Sequence, residues 1–371
     1  MQRRLFLQHS MAAIAGAACV PLLSTQANAI RPPRHILVLG GTHFLGPAIV
    51  EAALAEGHTV TMFNRGVTNP DLFPHVEKLR GFRSNDPRNQ DLSALAHRRF
   101  DAAVDVWPSD PQLAASAAEF LKDHVAHYLY VSSIAAYDSK AFETAGIDES
   151  AALAPWGGPA RGYSRGKAES ERRLHSIRGE EITIVRPGPI KGTRDTTADL
   201  LTWLIRAQNG GTHIGPGSGE DPVELVDVKD VARFLLFAMS RTLYGTFNLT
   251  GRPMPFRQFL DACKSATRSD ATFEWIPLSF LREHGLETDS ALNTFAGNFP
   301  LWRPAGAQRG LFQISSEKAF RAGWQTRSFQ ETAFDCLSYF RSLHENLDWD
   351  DYLSEDKERE VLEAWAHRAK R

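Results

Sequence analysis

From His35 onward, short apolar runs alternate with amphipathic stretches. HILVLG, residues 35–40, is a short β-branched run ending in glycine, the pattern of a strand covered on both faces. Pro47 to Glu56 carries Ile49, Val50, Ala53 and Leu54 along one side, has proline early and stops at Gly57, which predicts a helix. HTVTMF, EKLRGF and FDAAVDVW predict the second, third and fourth strands. A helix around Leu113 to Lys122 leads to HYLYVSS as a fifth strand, and one from about Tyr163 to Ile177 leads to EITIVRP as a sixth. Strands alternating with helices imply an α/β fold, a Rossmann-type doubly wound parallel sheet with right-handed crossovers.

After Gly188 the rhythm loosens. GTFNLTG and ATFEWIPL predict strands separated by helices, and Pro and Trp crowd the stretch from Phe299 to Pro304. The expected organisation is a sheet domain over 34–190, with 225–250 returning to it, and a smaller α+β substrate-binding lobe over 191–345. The highly charged tail, 346–371, is expected to be a solvated helix.

The N-terminus follows a different pattern. Arg3 and Arg4 precede Phe6 and Leu7, an Ala-rich apolar stretch runs from Met11 to Leu23, and Ala27-Asn28-Ala29 follows. Charged start, apolar middle and A-x-A end mark a cleavable export signal over 1–29, and the paired arginines give it twin-arginine character. An ordinary secretory signal and an uncleaved anchor are the alternatives. The mature chain then begins near Ile30, in the periplasm, and no later apolar run is long enough to span a bilayer. Net charge is −2 over 371 residues, which gives no support to a nucleic-acid partner. Cys263 and Cys336 remain after cleavage; an oxidising compartment would permit a bridge, but separate buried thiols are expected. They form no metal motif, and none stands elsewhere.

The chemistry sits in the loops after the strands. HILVLGGTHFLG is a strand entering a G-x-x-G-x-x-G turn, with His43 in the middle glycine's place. Gly40 and Gly41 supply the turn and Gly46 lets the next helix lie close, so that backbone N–H groups face a pyrophosphate. His43 must then point outward or lie along the phosphates as a donor. TMFNRG ends the second strand with Asn64 and Arg65, where an NAD-selective fold has Asp or Glu. Without a carboxylate to repel a 2′-phosphate, and with a guanidinium to pair with it, the choice between NADP and NAD leans to NADP. Tyr163 and Lys167 in YSRGK are one helical turn apart on one face. An ammonium beside a phenol favours the phenolate and readies it for proton exchange near neutral pH. Ser132 or Ser133, at the end of the fifth strand, can hydrogen-bond the same oxygen.

Taken in order, HILVLGGTHFLG, TMFNRG, HYLYVSS, YSRGK and IVRPGPI resemble the extended short-chain dehydrogenase/reductase family, and within it the atypical NAD-dependent epimerase/dehydratase branch. The resemblance covers Arg34 to Gly251 well and the rest loosely. It implies that Ser133, Tyr163 and Lys167 are catalytic. It also implies cofactor contacts from Gly40, Gly41, Thr42, His43, Phe44, Leu45, Gly46, Asn64, Arg65, Ser132, Pro187 and Gly188, the last two at a turn beside the nicotinamide. Phe82 stands after Gly81 where the family often has an acid near the adenine. Asp227, Asp230 and Arg186 are expected to be structural; Glu149 could reach substrate hydroxyls, but an exposed loop acid is the expected reading. Trp156, Trp203 and Trp302 could stack on a sugar, though core packing explains such residues more often.

Hydride exchange with a secondary alcohol or ketone is therefore expected. No pool of reduced nicotinamide is expected outside the cytoplasm, which points to a redox-neutral epimerisation or dehydration of a sugar-like molecule with a retained cofactor. Pairing through a two-helix face, as a homodimer, is a further implication of the resemblance. The alternative is a non-catalytic nicotinamide-binding sensor or binding module.

Overall fold

A computed structural model of the chain describes residues 32–84, 86–106, 110–156, 162–195, 197–286, 297–304, 306, 310–343 and 352–368. The export-signal segment 1–29 lies outside the described residues. The six predicted strands become β1 (His35–Leu39), β2 (Thr59–Asn64), β3 (Glu77–Arg80), β4 (Phe100–Asp105), β5 (Val125–Val131) and β6 (Ile182–Pro187). Between them run α1 (Leu45–Ala55), α2 (Pro111–Phe120) and α3 (Tyr163–Arg178). Then come β7 (Ile190–Lys191), α4 (Asp199–Asn209), β8 (Thr212–Pro216), β9 (Pro222–Val223), β10 (Val226–Asp227), α5 (Val228–Arg241) and β11 (Gly245–Leu249). The chain continues through β12 (Met254–Pro255), α6 (Phe256–Thr267), β13 (Thr272–Ile276), α7 (Leu278–Glu283), α8 (Glu317–Ala322), α9 (Phe329–Ser342) and α10 (Glu355–Arg368).

Seven strands form one parallel sheet in the order β11-β6-β5-β4-β1-β2-β3. Helices α1 and α5 cover one face through Ile49, Val50, Val231 and Leu235, and α2 and α3 cover the other through Ala114, Ala118 and Leu174. Burial on both faces is why β1 could be apolar throughout. The strand order reverses between β1 and β4, so a crevice opens at their C-terminal ends. Ala319 and Trp324 also pack in the α1–α5 core, although they fall in the stretch expected to belong to the lobe.

A second core gathers Trp203, Phe256, Phe259, Leu260, Phe299, Trp302 and Leu337, all from the stretch after β7. Trp203 and Trp302 are thus packing residues, whereas Trp156 is exposed. Cys263 and Cys336 are separate buried thiols in this core. The C-terminal helix departs from the expectation of a solvated element. Glu358 of α10 is buried and accepts from Arg206 Nη1 at 3.2 Å and from the Ile214 backbone N–H at 2.8 Å, with His213 Nδ1 3.1 Å away. The charge pattern hid this docking because its partners lie about 150 residues upstream, beyond any local periodicity. Among the described residues no helix is long and apolar enough to cross a membrane.

Candidate active site

Gly40 and Gly41 turn the chain after β1 at φ +120° and +89°, conformations that side chains avoid. A Cβ on Gly46 would lie 2.5 Å from the Gly41 Cα, so α1 can rest on the turn only with glycine there. No side chain caps the start of α1, and its first N–H groups are left for an anion. A cleft of about 800 Å³ opens along this turn. Gly40, Gly41, Thr42, His43, Phe44, Leu45, Gly46, Asn64 and Arg65 all line it. His43 is exposed and leaves the cleft open. The amide of Asn64 is a brace: Nδ2 donates to the Gly40 carbonyl at 3.2 Å and Oδ1 accepts the Gly66 N–H at 2.8 Å. Arg65 is exposed, and the Arg80 guanidinium fills the space a side chain on Gly66 would take. Glycines without room for Cβ, an uncapped helix start and an open cleft fit a dinucleotide.

Ser132, Ser133, Tyr163, Lys167, Pro187 and Gly188 line the same cleft. Tyr163 is the first residue of α3 and Lys167 stands one turn later. The Ser133 side chain stands where it favours the Tyr163 phenolate, and it accepts the Ala135 N–H at 3.1 Å, which fixes its direction. The Lys167 ammonium is buried, donates to the Val131 carbonyl at 2.7 Å and to Tyr130 Oη at 3.4 Å, and lies 5.9 Å from the Tyr163 ring centre. Burial pulls Lys167 down to about 8, against the opposing charges of Asp105 and Glu171. Tyr163 is 49% exposed, since its ring faces the open cleft. The cleft walls still crowd its hydroxyl, and this desolvation raises its pKa, with Ser133 offsetting part. Desolvation thus outweighs the expected lowering of the phenol by Lys167, whose ammonium donates to the Val131 carbonyl and Tyr130.

Behind the wall lies a layer of charge that the sequence pattern did not isolate. Asp105, buried at the end of β4, holds Arg83 through two bonds of 2.8 and 2.9 Å and accepts from Tyr128 Oη at 2.8 Å. Glu171 takes the Arg186 guanidinium at 2.6 Å and the Ser132 hydroxyl. Ser132 therefore forms wall, with its hydroxyl already engaged. A carboxylate set inside the otherwise apolar run VDVW, and Glu171 one turn past Lys167, were the available signals. Lys191, Asp195, Thr197, Arg303 and Leu311 also line the cleft without having been singled out. Glu149 is not an exposed acid: it is half-buried and accepts the Asn248 N–H at 2.7 Å. Asp227 starts α5 by accepting the Lys229 N–H at 2.7 Å, a structural role. Phe82 pairs its backbone with Asp91 and is exposed.

The profile of the NAD dependent epimerase/dehydratase family matches residues 36–249. The chain is 26% identical over 249 residues to the Arabidopsis thaliana protein described as chloroplast stem-loop binding protein of 41 kDa b, a match spanning 63% of either chain and so under two thirds of the relative. In fold it is similar to a UDP-glucose 4-epimerase from Thermotoga maritima, solved with UDP-glucose, at TM-score 0.60, 18% identity and 84% and 100% coverage of the two chains. It is also similar to the Bordetella bronchiseptica enzyme WbmH, solved with NAD+, at TM-score 0.61 and 17% identity over 83% and 98% of the chains. A UDP-glucuronic acid 4-epimerase from Bacillus cereus, solved with NAD, gives TM-score 0.57 and 16% identity over 84% and 100%.

Proposed function

The chain belongs to the NAD dependent epimerase/dehydratase family, and from that premise we propose that it exchanges hydride between a bound nicotinamide and a secondary alcohol or ketone of a sugar-like substrate. The observation that carries this reading is the meeting of Ser133, Tyr163 and Lys167 in the cleft that also holds the glycine turn. A bound nicotinamide supplies the hydride acceptor and donor. Ser133 holds the reacting oxygen, Tyr163 exchanges the proton at its phenolic oxygen, and the Lys167 ammonium favours the phenolate once a ligand displaces water. Support for a sugar comes from the nucleotide-sugar epimerases that share the fold. NADP remains favoured over NAD by Arg65 on the cleft wall with Arg80 beside it at Gly66.

The reading includes export by the twin-arginine route, which carries folded proteins, so a cofactor could travel inside. A net reductase would stall without a reductant supply, whereas an epimerisation or dehydration returns its hydride. Protein isolated from the periplasm is expected to begin near Ile30, to carry nicotinamide by mass spectrum and absorbance, and to turn over without added cofactor. Cofactor-free protein active only with added NADPH would overturn the redox-neutral part. Tyr163→Phe is expected to keep the cofactor and lose roughly 10²–10⁴-fold in kcat. Unchanged biological activity in that variant would instead favour a binding module.

A further inference from the structure

Two asparagine amides hold the glycine turn, and the second comes from outside the strand. A trans peptide points its C=O and N–H in opposite directions, so whatever holds a carbonyl also aims the next residue's N–H. Asn64 Nδ2 holds the Gly40 carbonyl at 3.2 Å, which aims the N–H of Gly41. Asn69 Nδ2 holds the Thr42 carbonyl at 2.8 Å, which aims the N–H of His43. Asn69 reaches this point from the loop after β2, with its backbone at φ +41°, a left-handed conformation that asparagine tolerates better than most residues. Between the two anchors, Arg65, Gly66, Val67 and Thr68 line the cleft. Gly66 bends at φ +70° against the Arg80 guanidinium, and Val67 is 71% exposed, so little core supports the middle of the segment. Its hold on the turn is the pair of amides.

We propose that Asn69 is a positioning residue for the dinucleotide: its amide clasps the 65–69 segment onto the glycine turn, aims the His43 N–H at the diphosphate and slows escape of the bound cofactor. The proposal rests on the reading that a nicotinamide dinucleotide occupies this cleft. Nothing in the Ser133, Tyr163 and Lys167 group is needed for it.

The test uses the full mature chain with Asn69→Gly, which keeps the left-handed backbone without strain and removes only the amide, and Asn69→Asp, whose ionised carboxylate cannot donate. NADH and NADPH are each loaded and then displaced, and release is followed by nicotinamide fluorescence. Both variants are expected to release roughly five- to tenfold faster than wild type, the worth of one hydrogen bond. The thermal midpoint of cofactor-free protein should fall by a few degrees at most, since the same bond is present there. Release at the wild-type rate in both variants overturns the clasp. So does a lowered midpoint with unchanged release, because a merely structural brace would behave that way. If wild type itself binds neither NADH nor NADPH, the cofactor reading fails and the clasp fails with it, an outcome distinct from a variant-specific null.

Discussion

At the residue scale, burial and charge oppose each other most directly at Lys167. Its ammonium lies among Tyr130, Val131 and the field of Asp105 and Glu171, and desolvation brings it down to about 8. The charged form therefore exists below about 8 and is lost above it. Under the proposed mechanism, in which the ammonium favours the phenolate of Tyr163, kcat should fall on the alkaline side with an apparent pKa near 8. Asp105 opposes that loss, so Asp105→Asn should move the alkaline limb to lower pH. A limb that stays in place in the folded variant, or moves upward, would remove Asp105 from this role. Ser132 and Ser133 show the limit of a motif at this scale. Both stand at the strand end, and only the structure reveals that Glu171 claims the first while the second meets Tyr163.

At the scale of elements, strands buried on both faces were legible because every position is apolar, as in Ile36 to Leu39, and such a run admits few other interpretations. The Tyr163–Lys167 pair was legible because helical spacing alone brings the two side chains together. What escaped is pairing between charges remote in sequence: Arg83 with Asp105, Arg186 with Glu171, and Glu358 with Arg206. A charged residue reads as solvated until its partner is known, and α10 is the clearest case. Glu358→Ala would leave the buried Arg206 guanidinium without its carboxylate and the Ile214 N–H without an acceptor. Removing one partner of a buried pair costs about 3–5 kcal/mol, and Glu358→Ala should lose at least the lower part of that in denaturant unfolding. A loss below roughly 1 kcal/mol, the range of surface pairs, would mean that α10 is not held through this residue.

Across the whole molecule, the start of α5 joins the sheet domain to the segment leading into α9. Asp227 accepts from Arg327 Nη1 at 2.9 Å and from Thr332 Oγ1 at 2.6 Å, and Asp230 accepts the Arg327 N–H at 2.8 Å. The other carboxylate oxygen of Asp230 has no hydrogen bond, with Arg233 standing 3.7 Å away. Burial, reinforced by Asp227, pushes Asp230 up to about 6 from 3.8. The folded chain therefore holds a proton that the unfolded chain has released. The resulting stabilisation is complete below about 3.8 and lost as pH rises through about 6. The whole effect is on the order of 3 kcal/mol. His127 works in the opposite direction: burial, with Arg34 and Arg178 nearby, brings it down to about 4 from 6.5, so its contribution is lost as pH falls through that window. The slopes of these two groups offset each other over roughly pH 4–6. Asp230→Asn keeps an acceptor for the Arg327 N–H and cannot ionise. It should gain about 1–3 kcal/mol over wild type at pH 7.5 and nothing at pH 4, so the difference between the two stability curves opens as pH rises through about 6. Urea unfolding across that range measures it, and an equal gain at both ends would show that charge at Asp230 is not what strains the seam.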